Sequence, residues 1–65
     1  MCEANAYWIR EGGEDLIMEA VDTIEPEGSD EWRLVGIFGD QKSIRGRIWG
    51  MRLVDHKILF EAVED

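Results

Sequence analysis

The chain has 65 residues, fifteen of them acidic and seven basic, giving a formal net charge of −8, and it holds a single cysteine. One domain, 1–65, fits this length. Its core is marginal, since chains near this size bury only about 60% of the surface they expose when unfolded. One cysteine excludes an internal disulfide, and the acidic field opposes nucleic acid and anionic membrane surfaces, whose binders depend on Lys and Arg.

The first apolar segment, "EANAYWI", ends at the turn signal "REGGED" (10–15). The following stretch, "EDLIMEAVDTIE", can be read in two ways. Leu16, Ile17, Ala20, Val21 and Ile24 fall at helical spacing, yet two short strands broken near Asp22 suit the neighbouring segments better. "EPEGSDE" (25–31) closes this run. In "EWRLVGIF" the set Trp32, Leu34, Gly36 and Phe38 alternates with Arg33, Val35 and Ile37. After "FGDQ" (38–41), Ile44, Gly46 and Ile48 alternate with Arg45, Arg47 and Trp49. Asp55-His56 marks a last turn before "KILFEAV", where Ile58 and Phe60 face one way and Leu59 the other. Period-two segments joined by tight turns predict an all-β fold, a small antiparallel barrel of SH3-like or Sm-like kind. Gly36, Gly39, Gly46 and Gly50 are expected at its bulges and bends.

The opening residues carry neither the basic run nor the apolar stretch of a secretory signal, and no run of about 18 apolar residues is present. With a free cysteine, this predicts a cytoplasmic protein. Arg45, Arg47 and Arg52 lie close together, which is the pattern of a solvated strand face before it is that of a binding strip.

Catalytic chemistry has little to work with. Nucleophilic catalysis needs a nucleophile with a base in reach. Here there are one cysteine, one histidine and two serines with no motif around them, and no glycine spacing matches a phosphate-binding loop. The chain is expected not to be an enzyme. Cys2 is chemically distinctive, because its thiolate and an adjacent backbone nitrogen can close a five-membered chelate ring. If Met1 is retained, the terminal amine, the Cys2 amide nitrogen and the sulfur form a planar tridentate set. If Met1 is removed, amine and sulfur both belong to Cys2, and two chains supply two nitrogens and two sulfurs. Nitrogen with thiolate in a square plane suits Ni(II) or Cu(II), whereas sulfur-rich tetrahedral sites suit zinc. Either way the terminus of one chain does not close a four-coordinate site, and a homodimer would. His56 is a second candidate donor, although its place in the sequence gives no reason to pair it with Cys2.

Taken together, "MCEANAYWI", "LIMEAVDTIEPEG", "IFGDQKSIRGRI" and "LVDHKILFE" resemble the CooT family over nearly the whole chain. The family comprises small nickel-binding accessory proteins associated with maturation of carbon monoxide dehydrogenase. The resemblance implies a β-barrel-like homodimer that binds Ni(II) through Cys2 and hands it to the nickel–iron–sulfur centre of that client. Some relatives carry an RNA-binding label, which the charge of this chain speaks against. Hydrogenase maturation chaperones also begin Met-Cys, but continue with a Leu-x-x-Pro pattern that "MCEANA" lacks. A metal-independent interaction module, using exposed tryptophans and the arginine strip, is the alternative reading.

Overall fold

A computed structural model describes residues 3–63. Five strands form one ring in the order β1-β2-β3-β4-β5: Ala4–Arg10, Gly13–Pro26, Glu31–Gly36, Gln41–Arg52 and Lys57–Ala62. Every turn signal read from the sequence falls at or beside a strand end. The fold is all-β, as expected. Four seams are antiparallel, and the seam that closes the ring, β1 against β5, is parallel, with Asn5 opposite Lys57 and Trp8 opposite Phe60.

The segment 15–25 is neither a helix nor two strands. It lies within one long strand that changes partner: Gly13 to Met18 pair with β1, and Thr23 to Pro26 with β3. The handover is irregular, with register shifts opposite Ala4–Tyr7 and again between Val21 and Thr23. The break expected near Asp22 is thus a bulge inside a continuous strand, which bends the ribbon from one wall of the barrel to the next.

The interior is small and aromatic. Phe60 is fully buried, with edge-on rings on two sides: Trp8 at 6.4 Å and 68°, and Trp32 at 6.2 Å and 60°. Edge-to-face contacts at this spacing add about 0.5–1.5 kcal/mol each beyond area burial. Ala6, Leu34 and Ile44 complete the centre, and the indole N–H of Trp32 donates to the Gly46 carbonyl at 3.0 Å. Phe38 does not join Trp32, Leu34 and Gly36. β3 ends at Gly36, whose N–H donates to the Asp40 carbonyl, and Phe38 lies 88% exposed in the turn that follows. Leu59 stands on the opposite face from Phe60, across from Tyr7 and Gly50, and is nonetheless fully buried.

Arg45 and Arg47 stand directly opposite Glu31 and Glu61, and Arg47 also reaches Asp30 at 3.8 Å. Arg45 and Arg47 are therefore matched with carboxylates across the sheet, a solvated strand face, whereas Arg52 at the end of β4 stands opposite Lys57. Gly50 sits at a register shift, as expected of a bulge glycine, but Gly46 has another role. A Cβ there would lie 2.5 Å from the Glu61 carbonyl oxygen and 2.9 Å from the Trp8 ring. Gly46→Ala is expected to destabilise the fold by about 1–3 kcal/mol, read as a fall in the thermal midpoint. An unchanged midpoint would contradict this packing.

Candidate metal centre

The start of β1 is held on both sides by one residue. The backbone N–H of Asn5 donates to the His56 carbonyl at 2.8 Å, in the turn between β4 and β5. Its side-chain oxygen accepts the Ala20 N–H at 2.9 Å, across the irregular part of β2. Ala20 in turn offers its carbonyl to the N–H of Ile37, at 2.9 Å, in the turn between β3 and β4. Ala20 sits at φ 53 and His56 at φ 56, left-handed conformations that cost a non-glycine residue about 1 kcal/mol or more. Both are fixed by this relay. Asn5 thereby ties two distant turns to the first strand.

Glu3, the first described residue, borders a depression of about 410 Å³ at this end of the barrel. Met51, Leu53 and Ile58 give it an apolar wall, and Asp22, His56 and Lys57 give it polar ones. Glu3 also borders a larger, shallower hollow of about 650 Å³, lined by Leu16, Ile37 and Phe38 with Glu19, Asp40 and Lys42 at its rim. The parallel seam explains the first arrangement. β1 and β5 run the same way side by side, so Glu3, directly before β1, comes near His56, directly before β5.

Cys2, the metal ligand expected from the sequence, lies outside the described residues. The other candidate, His56, is exposed and shares a depression with Glu3. Sequence spacing gave no reason to bring His56 beside Glu3 and the start of β1, and the fold does so. Asp22 arrives there through the β2 bulge; the sequence marks it as a break in a strand but not as a neighbour of His56. Among the described residues no group of three or more His, Cys, Asp or Glu side chains is placed to hold a metal ion. Lys57 is engaged elsewhere: its ammonium bonds Glu14 at 2.9 Å, which raises its pKa through that hydrogen bond and the carboxylate charge. Among the described residues no helix is long and apolar enough to cross a membrane.

The family described as "CO dehydrogenase accessory protein CooT" matches residues 1–61. The chain belongs to the CooT family. A crystal structure assigned to CooT from Carboxydothermus hydrogenoformans is 38% identical, covers 97% of this chain and 100% of its own, and superposes with a TM-score of 0.87. No curated protein matches the sequence. Membership makes the chain an accessory protein of CO dehydrogenase, and the CooT match spans the Met-Cys start as well as the ring of strands.

The relay makes a direct prediction for this CooT chain. Asn5→Ala leaves the Ala20 N–H without its acceptor and is expected to lower stability by about 1–2 kcal/mol. For a domain this small that is a fall of roughly 5–15 °C in thermal midpoint. Asn5→Asp, which keeps the acceptor oxygen, should retain most of the stability. Equal losses in the two variants would count against the relay.

Proposed function

We propose that the protein is a cytoplasmic nickel carrier. In this reading two copies share one Ni(II) ion through their Cys2 thiolates and N-terminal backbone nitrogens, and deliver it to CO dehydrogenase. Nickel is cargo here. What supports the reading is that the CooT match includes residues 1 and 2, where a thiolate stands beside a backbone amine in a chain with no other cysteine. That donor set favours Ni(II) over ions that prefer oxygen. The carboxylates of Glu3 and Asp22 at the same end add a local field that attracts a cation. A nickel carrier must also give up its ion, and a donor set completed by symmetry is opened by separating the copies.

Because thiols and nitrogens must lose protons before they bind, affinity depends on pH. The two thiols alone make it fall by roughly 100-fold per pH unit below the thiol pKa, ordinarily about 8.5, and each nitrogen that gives up a proton steepens the fall further. A nickel titration followed by absorbance and native mass should show a sulfur-to-nickel charge-transfer band and one nickel per two chains. Cys2→Ser should lose both. Nickel retained by Cys2→Ser with unchanged affinity would overturn the proposal. The metal-independent interaction module has one observation in its favour, the exposure of Phe38 and Val54 at 88% and 92%. It gains ground if the wild-type chain ignores nickel.

A further inference from the structure

The ring closes at every seam, but its longest strand outruns each of its partners. From Gly13 to Met18, β2 pairs with β1. Its pairing with β3 begins only at Val21, opposite Gly36. The Ile37 N–H then takes the Ala20 carbonyl at 2.9 Å, and the chain turns away toward Asp40. Beyond that corner, no strand among the described residues pairs with the other side of residues 13–19. In an antiparallel ladder the backbone groups of alternate residues point away from the partner strand. The first half of β2 therefore presents N–H and C=O groups as the edge of an open sheet does.

The larger hollow, about 650 Å³, runs along this edge. Leu16 to Ala20 line it without interruption, and Ile37 and Phe38 border it from the turn after β3. Leu16, Ile37 and Phe38 are exposed apolar side chains. An open edge beside an apolar hollow suits an extended segment that adds to the sheet as a strand. Main-chain bonds hold such a segment, and every second side chain enters the hollow. Charge narrows the choice of segment. Glu14 and Asp15 are paired with Lys57 and Arg10, whereas Glu3, Glu19 and Asp40 border the hollow with Lys42 as the cation among them. This surplus of carboxylate favours Lys and Arg on the incoming segment. It also disfavours a second copy of the same edge, which would set Glu14, Asp15 and Glu19 against their own kind in chains that each carry −8.

We propose that the free edge of β2 takes up an extended segment of a second protein, with apolar side chains at alternate positions and Lys or Arg among the rest. The segment lies beside residues 13–19, where the line of β3 would run if that strand continued. Its apolar side chains meet Leu16, Ile37 and Phe38, and its basic ones reach Glu19 and Asp40. The assignment goes beyond the nickel-carrier reading and uses none of the metal donors.

The test is selection of random nonapeptides displayed on phage against the full chain, followed by titration of one enriched peptide, made synthetically. Enriched sequences should alternate apolar residues and carry Lys or Arg. The bound peptide should slow hydrogen exchange at the amides of residues 14–19. N-methylation of its alternate amides in one register should abolish binding, and in the other register should not. Phe38→Asp and Glu19→Lys, both at exposed positions outside the core, should each raise the peptide dissociation constant by at least about tenfold. Enrichment of acidic sequences, no enrichment, or equal tolerance of both N-methylated registers overturns the assignment. So does a peptide released when the chain self-associates, which would give the hollow to a second copy. Cys2→Ser should bind the peptide as wild type does. Peptide binding in a chain that takes up no nickel keeps the docking edge and removes the carrier reading, and nickel uptake without peptide binding does the reverse.

Discussion

The arrangement at the start of β1 depends on the bonds made by Asn5. A closed ring of five strands needs a seam between its first and last strands, and here that seam is parallel and only four residue pairs long. A short parallel seam is a weak closure, because its bonds are slanted and it joins segments about fifty residues apart. Asn5 reinforces it at the end where the chain begins, with its N–H on the β4–β5 turn and its side chain on β2. The two left-handed residues at φ 53 and φ 56 are tolerated because this relay fixes both. Without it the turns at 37–40 and 53–56 would have no common anchor, and Glu3 would not border both depressions.

The interior supports the same end of the molecule. Eight apolar residues are buried among those described, few for a ring of five strands, so the aromatic contacts around Phe60 carry much of the cohesion. Gly46 lets the Trp8 ring and the β5 backbone approach β4 closely enough for these contacts to form. Past Gly46, the bulge at Trp49 shifts the register of β4, so that Met51 pairs with Ile58 at the barrel mouth. Core packing and the shape of the candidate site are therefore coupled through β4.

The strands with regular alternation were legible in the sequence. Ile44, Gly46 and Ile48 face inward as their period requires, while Arg45, Arg47 and Trp49 are exposed. β2 was ambiguous for a physical reason. Its register irregularities insert extra residues, so Met18, Val21 and Ile24 face inward at spacings of three instead of two. A spacing of three imitates a helix, and nothing local reveals that bulges produce it. The end of β3 was misread because Gly36 and Asp40 close a turn that leaves Phe38 outside. Cys2 is a candidate on its chemistry alone, since a thiol beside a backbone nitrogen needs no fold, and it lies outside the described residues. The neighbourhood of His56, Asp22 and Glu3 was not legible, since it is created by the parallel seam and by a bulge, both long-range events.

The nickel-carrier proposal has a thermodynamic consequence. Each chain carries a net charge of −8, so bringing two together has an electrostatic cost, greatest where the acidic groups around Glu3 approach the axis. A divalent cation held between the chain starts offsets that cost locally. A ligand that binds the dimer and not the monomer strengthens association by the same free energy with which association strengthens binding. On the nickel-carrier proposal the ion would tighten the pair, and its removal would loosen it. For a carrier this is the useful direction. The loaded dimer persists until a stronger set of donors withdraws the ion, and the emptied copies are left with their charges unscreened.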